Sequence, residues 1–308
     1  MGRDCPICAG ALTPAHPDWV LRCRECGFQA AALDGRIGEL AAHAVLDERT
    51  REKALERLRE RNFATILDAV DRLRPRRGRL LDVGSAHGWF LRAATRHGWT
   101  AVGIEPDAAF ARQTREGGAE VRVGTFPEAL SPGDKFDAVT FNDVFEHLPD
   151  LHAALRATAR ALHPGGLLMI NLPDARGPFH RMARALSRLG IHGPLERLWQ
   201  KDFPSPHLSY FTAPLLRRLA GRHGFRRVGG SRLPAIELRG LWPRLKYDRG
   251  ASVAASAVVY AGTCALLPVL GLLPPDISFE IFELDGGLPG DRRDERDDQG
   301  RPHLHEQP

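Results

Sequence analysis

Cysteine is almost absent from the bulk of this 308-residue chain. Four of its five cysteines lie within the first 26 residues, and only Cys264 lies elsewhere. Such a distribution excludes a secreted domain held together by a disulfide framework. The first residues, MGRDCPICAG, also lack the apolar run of a secretory signal peptide. We therefore expect a reducing compartment, the cytoplasm, where paired thiols bind metal.

A strong excess of charge of one sign is also missing. The chain has 43 Lys and Arg against 38 Asp and Glu, which gives a formal net charge of +5 and an isoelectric point near 9.2. This mild basic bias is compatible with an anionic membrane or with RNA but is diagnostic of neither. With 43% hydrophobic residues, the chain can bury one large core and still carry a small accessory module.

The N-terminal cysteines form two C-x-x-C pairs. Cys5, Cys8, Cys23 and Cys26 have the spacing C-x2-C-x14-C-x2-C, which lets two tight knuckles approach one tetrahedral Zn²⁺ from opposite sides. Because so short a segment has no useful apolar core, metal binding would supply its folding free energy. Four sulfur ligands leave no open position for water. The pattern predicts a zinc ribbon over residues 1–30, with a structural zinc.

Hydrophobic spacing divides the rest of the chain. Residues 31–77 are predicted to be a helical linker, in which residues 39–73 place apolar side chains near 3.6-residue spacing. Between residues 78 and 284, short apolar runs alternate with helical stretches, which is typical of βαβ units and a parallel sheet. The tail, 285–308, is rich in Gly, Asp, Arg and Pro and is predicted to be disordered. The predicted strands are 80–83, 101–105, 120–123, 138–141 and 167–171.

A glycine-bearing turn follows the first of these strands. In LLDVGSAHGWFL, residues 80–91, Gly84 and Gly88 allow the backbone to bend sharply and to approach a ligand closely. Glu105 lies at the end of the next strand and is suited to accept hydrogen bonds from ribose hydroxyls. Such a turn by itself indicates only a nucleotide-binding protein of some kind.

Several motifs in one order resemble those of the class I methyltransferases that use S-adenosylmethionine. Residues 82–88, DVGSAHG, resemble the first motif, D-x-G-x-G-x-G, with Ala86 in place of the middle glycine. Residues 136–150, FDAVTFNDVFEHLPD, resemble the fourth-strand motif of the group that includes the ubiquinone-pathway O-methyltransferases. With segments 163–166, 207–212 and 224–225 and the ribbon, matching segments lie across about residues 5–240. The resemblance implies a Rossmann-like α/β fold, a seven-stranded sheet preceded by the zinc ribbon and the helical linker.

The resemblance also implies a cofactor site. In that family the first-motif glycines line the methionine moiety of S-adenosylmethionine, the acid after the second strand holds the ribose, and the loop after the third strand flanks the adenine. Carried over to this chain, with neighbouring residues of the same strands and loops, the predicted set is Asp82, Gly84, Ser85, Ala86, Gly88, Glu105, Pro106, Thr125, Phe126 and Asn142.

The candidate catalytic residues follow the fourth strand. Asp143, Glu146 and His147 occupy positions i, i+3 and i+4 and would share one face of a helical turn. They could hold a divalent cation that lowers the pKa of an acceptor hydroxyl. The quinone-pathway enzymes that this segment resembles are metal-dependent and have E-x-x-E-H there, whereas this chain has Asp143 first. Two other roles stay open: His147 as a plain general base, or Glu146 and His147 as purely structural residues. His207 could also face the acceptor pocket.

A long uncharged stretch spans residues 251–273. It is long enough to cross a bilayer, although Pro268 interrupts it. Residues 277–283 are predicted to be the last, antiparallel strand of the methyltransferase sheet, which would keep both ends of the stretch on one side. Two alternatives stay open: a buried helical cap, or a broken hairpin that dips into the interface at the inner face of the membrane, beside Arg239, Arg244, Lys246 and Arg249.

Three functions are consistent with these patterns. The first is methyl transfer, O-directed, to a small-molecule or lipid-linked acceptor. The second is RNA methylation, against which stand the dispersed positive charge and the absence of an Asn/Asp-Pro-Pro-Tyr/Phe motif. The third is a non-catalytic module that only binds the cofactor.

Overall fold

The structure is a computed structural model of the whole chain. It describes residues 4–33, 48–74, 77–203, 205–237, 241–246, 252–270 and 273–285. The predicted disordered tail and residues 39–47 of the predicted linker helix lie outside these ranges, apart from Asp285.

A small antiparallel sheet opens the chain. Its first three strands are β1 (Leu12–Pro14), β2 (Val20–Cys23) and β3 (Gln29–Ala31). A fourth strand, β9 (Ser209–Tyr210), comes from far along the sequence and pairs antiparallel with β3. The order β1-β2-β3-β9 therefore joins the cysteine module to the large domain through backbone hydrogen bonds.

The large domain is built on a seven-stranded sheet. Its strands are β4 (Arg79–Val83), β5 (Thr100–Glu105), β6 (Glu120–Val123), β7 (Phe136–Asn142), β8 (Leu162–Pro173), β10 (Phe225–Leu233) and β11 (Ile277–Leu284). All the predicted strands are present, including the final antiparallel one.

Helices alternate with and follow these strands along the chain. In chain order they are α1 (Glu48–Leu73), α2 (Trp89–Arg96), α3 (Ala108–Glu116), α4 (Leu151–Ala161), α5 (Pro178–Arg188), α6 (Gly193–Leu198), α7 (Ala213–Gly221), α8 (Leu241–Lys246) and α9 (Val253–Leu270). A single 3₁₀ turn spans Phe145–His147.

The strand order of the large sheet is β10-β11-β8-β7-β4-β5-β6. Neighbouring strands from β8 to β6 are parallel, and β11 is antiparallel to both β8 and β10. The order reverses between β4 and β7, and ligands of open α/β sheets bind in the crevice at the carboxyl ends of the strands at such a point. The predicted fold class, a Rossmann-like seven-stranded sheet, is confirmed.

Helix α1 belongs to the core of the large domain. Phe63, Ile66, Leu67 and Val70 on its inner side are buried against residues of the sheet and of α2, among them Phe90. Their 3.6-residue spacing is the pattern that predicted a helix here. The described part of the segment predicted as a helical linker therefore packs in the core of the large domain.

The uncharged stretch differs from both alternatives predicted for it. Residues 253–270 form one helix, α9, that continues past Pro268 to Leu270, so the stretch is not a broken hairpin over that range. It is not a buried cap either, because Val253, Val258 and Val259 are exposed. Because proline has no N–H, Pro268 removes one backbone hydrogen bond from α9.

Candidate active site

The turn after β4 has the backbone that the glycine motif predicts. Gly84 has φ +72° and Gly88 has φ +68°, values that side chains rarely adopt. A Cβ on Gly84 would lie 2.5 Å from Cγ2 of Val144, and one on Gly88 would lie 2.3 Å from Cγ2 of Thr114. Ala86, which replaces the middle glycine of the motif, also has a positive φ of +42°. The turn therefore depends on glycine at two of its positions.

Glu105 holds this turn from behind. Its Oε2 accepts a hydrogen bond from the backbone N–H of Ala86 at 2.8 Å, and its Oε1 accepts one from Asp107 at 2.9 Å. Burial raises the pKa of Glu105, while these two backbone donors oppose that rise. The carboxylate that was predicted to hold a ribose is thus also the residue that fixes the loop.

A cleft opens beside the turn, where the strand order reverses. It contains about 690 Å³ of space, counting the part open to solvent. The predicted cofactor residues that line it are Asp82, Gly84, Ser85, Ala86 and Asn142. The predicted residues that do not line it are Gly88, Glu105, Pro106, Thr125 and Phe126; Phe126 packs instead on Phe141 at a ring distance of 5.4 Å.

The residues that form the far wall of the cleft were not predicted from the sequence. Helix α1 contributes Leu55, Arg59 and Phe63 to it, although this segment was predicted to be a linker. An aromatic group closes one end, since the His87 ring stacks on Trp89 at 5.0 Å and meets the edge of Phe110 at 4.6 Å. The amphipathic pattern of α1 predicts that one face of the helix is buried, but spacing alone does not show which part of the chain that face contacts.

Buried polar atoms face each other at the floor of the cleft. Asn142 Nδ2 donates to Asp82 Oδ1 at 2.9 Å across β7 and β4. Burial raises the pKa of Asp82 to about 7. Two other buried oxygens, Ser85 Oγ and Asn142 Oδ1, have no hydrogen-bond partner among the described residues. Buried polar atoms without partners are rare in folded proteins, and these two are suited to a polar ligand.

Asp143 does not belong to the group of ligand atoms that contains Glu146 and His147. Its φ is +52°, so the expected helical turn begins only after it, at Phe145. Its carboxylate pairs with Arg59 of α1, with Oδ2 3.0 Å from Nη2, and it lines the cofactor cleft. The predicted single face of Asp143, Glu146 and His147 therefore does not form.

A different residue joins Glu146 and His147. His207, which precedes β9, lies with them so that one ligand atom from each of the three is within 4.8 Å of the others. The rings of His147 and His207 are 4.6 Å apart and nearly perpendicular. His147 Nδ1 is 2.9 Å from the carbonyl oxygen of Pro206, to which it donates, so that Nε2 carries the lone pair.

Glu146 is the most anomalous residue of this cluster. Its side chain is buried, with 1% of the residue exposed, and neither carboxylate oxygen has a hydrogen-bond partner among the described residues. Burial, with Asp143 nearby, raises the pKa of Glu146 well above its usual value. Burial, with His147 nearby, lowers the pKa of His207 well below its usual value, so this imidazole is neutral. Two imidazoles beside a carboxyl group form a donor set suited to a divalent transition-metal ion.

The four N-terminal cysteines converge as predicted. The sulfur atoms of Cys5 and Cys26 are 3.5 Å apart, those of Cys8 and Cys23 are 3.4 Å apart, and all four lie within 4.8 Å of one another. Tetrahedral zinc with bonds of about 2.3 Å to sulfur requires sulfur separations of about 3.8 Å. The donor set and its dimensions fit a closed, structural zinc site.

The zinc ribbon touches the cluster through β9. Ala31 of β3 donates to the carbonyl of Leu208 at 3.0 Å, and Leu208 donates to the carbonyl of Glu146 at 2.9 Å. Phe211 packs between the ribbon and the 3₁₀ turn, with ring distances of 5.2 Å to Phe28 of the ribbon and 5.8 Å to Phe145 of the turn. The ribbon therefore supports the segment that carries His207.

Comparison with known proteins agrees with this geometry. A family model described as a methyltransferase domain matches residues 49–228, more than half of the chain. The ubiquinone biosynthesis O-methyltransferase of Paramagnetospirillum magneticum is 43% identical over 97 residues, which cover 29% of this chain and 38% of that protein. An uncharacterized methyltransferase of Mycobacterium sp. strain KMS is 33% identical over 105 residues, 32% of this chain and 40% of that one. The chain thus spans about two fifths of the length of these relatives.

Solved structures show the same fold at low identity. A chain from the complex between the Haloferax volcanii Trm112 methyltransferase activator and a methyltransferase superposes with a TM-score of 0.51 and 17% identity. The match covers 80% of this chain and 97% of that one.

Proposed function

The chain belongs to the methyltransferase-domain family, and from that premise we propose that it transfers a methyl group from S-adenosylmethionine to an oxygen of a small-molecule acceptor. The observation that carries the proposal is the cleft beside the Gly84 turn, at the point where the strand order reverses. The names of the ubiquinone-pathway relatives favour oxygen as the methylated atom.

S-adenosylmethionine would supply an activated methyl group on a sulfonium, so the protein mainly has to position the reactants. The unpartnered oxygens of Ser85 and Asn142 provide contacts for a polar ligand. Helix α1 and the aromatic group at His87 would exclude water from it.

The acceptor side of the site is assigned to Glu146, His147 and His207. Methylation of a hydroxyl requires that its proton leave, and Nε2 of His147 has the lone pair to accept it. In the alternative arrangement, a divalent cation would be held by the three residues, with Nε2 of His147 as a ligand instead of a base. The cation would lower the pKa of that hydroxyl, whose proton would then leave to solvent, and would compensate the buried carboxyl group of Glu146. Asp143 has another role in this proposal: with Arg59, it shapes the wall of the cofactor cleft.

Binding of the methyl donor tests the proposal directly. Calorimetry should detect S-adenosylmethionine and its demethylated product binding to the wild-type chain, and no comparable binding of NAD. In Gly84→Ala, the new Cβ would meet Val144, and we expect donor binding at least about tenfold weaker, a loss of about 1.4 kcal/mol.

The matched control is Gly118→Ala. Gly118 has φ +87°, comparable to Gly84, but a Cβ there has nothing within 4 Å. It shares the backbone strain without the steric clash, so donor binding should stay as in the wild type. Tight NAD binding without affinity for the methyl donor would refute the proposed function.

A further inference from the structure

Helix α9 leaves a large apolar surface exposed. None of its 18 residues is charged. Val253, Val258 and Val259 have exposed fractions of 62%, 73% and 50%. Soluble proteins rarely expose contiguous apolar surface of this kind unless a partner or a membrane covers it.

The exposure extends most of the way around the helix. With 100° per residue, the exposed positions span an arc of about 240°. These positions are Val253, Ala254, Ala257, Val258, Val259, Ala261, Gly262 and Ala265. A helix that is apolar all round is buried in a core or in lipid. One flat patch on a second protein copy covers only one side of a helix, whereas lipid can surround it.

The helix is anchored to the domain through α8. The buried hydroxyl of Ser256 donates to the carbonyl of Leu245 at 3.4 Å, and Tyr260 meets the edge of Trp242 at a ring distance of 5.6 Å. Trp242 is itself exposed, and tryptophan is favoured at the boundary between water and lipid.

Helix α8 packs against α1, the helix that lines the cleft, and the chain just before α8 also contacts α1. Asn62 of α1 donates to the carbonyl of Pro234 at 3.0 Å, and Arg57 and Arg61 of α1 both lie near Glu237. The same helix presents Leu55, Arg59 and Phe63 to the cofactor cleft. The exposed apolar helix and the cleft are therefore attached to one rigid element.

The chain around the anchor is basic. Residues 239–249 include Arg239, Arg244, Lys246 and Arg249, against Asp248 as the one acidic residue. Basic residues beside an apolar element strengthen binding to anionic lipids by about 1 kcal/mol each. Among the described residues, no helix is long and apolar enough to cross a membrane. Strands β10 and β11, which flank this segment, pair with each other in the large sheet, so both of its ends return to one domain.

We propose that α9, together with Trp242, docks the protein on an anionic bilayer by inserting into the membrane interface. Resting on the proposed function, the docking brings the cleft to the lipid surface, so the acceptor of the methyl group is a lipid-soluble molecule drawn from the membrane.

Vesicle binding by the full chain tests the docking surface. Vesicles of phosphatidylcholine with 30% phosphatidylglycerol would be sedimented with the wild type, with Val258→Glu/Val259→Glu, and with the matched control Leu189→Glu/Ile191→Glu. The control replaces two apolar residues that are 78% and 52% exposed but lie outside α9. We expect the wild type and the control to bind equally, and the α9 variant to bind at least about tenfold more weakly, since two valines no longer enter lipid.

Several outcomes would overturn the docking proposal. They are no sedimentation of the wild type with these vesicles, equal binding by the α9 variant, and a wild-type dimer in solution that the α9 variant converts to monomer. The last would show that a second copy covers the helix. Calorimetry with S-adenosylmethionine on the same variants is independent of vesicles, so failure of the proposed function is distinguishable from failure of the docking surface. The α9 variant should bind the methyl donor as the wild type does, which also verifies its fold.

Discussion

At the scale of single residues, the cofactor cleft contains an acid whose charge the fold disfavours. Asp82 is buried at the floor of the cleft, and the Asn142 amide is its one hydrogen-bond donor among the described residues. Its pKa is raised from 3.8 to about 7 by burial, and the nearby Glu105 adds to the rise. The folded chain therefore holds a proton on Asp82 at pH values where the unfolded chain has released it.

This difference predicts a pH-dependent stability. Between about pH 4 and pH 7 the folded state binds more protons at Asp82, so the free energy of unfolding falls as pH rises. Asp82→Asn removes that titration while keeping an oxygen for the Asn142 amide. Relative to this variant, the wild type should lose about 2 to 3 kcal/mol between pH 5 and pH 8. Urea unfolding at both pH values measures it, and an offset between the two chains that does not change with pH would contradict the prediction.

At the same scale, the sequence predicted residue types better than their geometry. Gly84 could be identified because a close approach there excludes a side chain. The pairing of Asp143 with Arg59 could not be predicted, because the spacing indicated a helical turn where Asp143 instead adopts a positive φ. His207 joined the cluster through a fold contact across 60 residues, which no local pattern reports.

At the scale of elements, the strands were predictable and the connections between modules were not. Parallel strands buried on both faces are continuous apolar runs, so the parallel strands of the large sheet could be located to within a few residues. Strand β9 has only two residues and exists because β3 pairs with it. Its presence turns the zinc ribbon from a separate module into part of the wall beside Glu146.

That attachment predicts the consequence of losing zinc. Cys23→Ser/Cys26→Ser should lose the one zinc ion that the ribbon holds, because half of the ligand set is removed. Structural zinc sites contribute on the order of 10 kcal/mol of apparent binding free energy. Since Phe28 and Cys23 share a hydrophobic cluster with Phe145 and Phe211, the whole domain should melt at a lower temperature in one transition.

Cys264→Ser is the control for this variant. Cys264 lies on α9, outside the ribbon, so its loss should change neither the zinc content nor the melting temperature. Metal analysis and calorimetry of the three chains make the comparison. Full zinc retention in the double variant, or a separate early transition for the ribbon alone, would contradict this account.

At the scale of the whole molecule, the proposed acceptor side of the site is assembled from three parts that are distant in sequence. The 3₁₀ turn after β7 supplies Glu146 and His147, the segment before β9 supplies His207, and the ribbon sheet holds that segment in place. The cofactor cleft is built from the β4 turn, α1 and the end of β7. Both sites meet at the carboxyl ends of β4 and β7, where Asn142 ends β7 on the cofactor side and Glu146 follows it on the acceptor side.

This assembly predicts a second metal site besides the ribbon. With zinc in the ribbon, the wild type should bind one further Mn²⁺ or Zn²⁺ ion, and His207→Ala should weaken this binding at least about tenfold, as the loss of one ligand among three requires. The control is His152→Ala. His152 pairs with another histidine outside the cluster, with its Nδ1 2.8 Å from Nε2 of His223. Turnover should stop with a chelator that leaves the ribbon loaded and should return with added cation. Chelator-insensitive turnover that is lost in His147→Ala would instead assign His147 as a plain general base, and normal turnover in His147→Ala would leave the cluster a structural role.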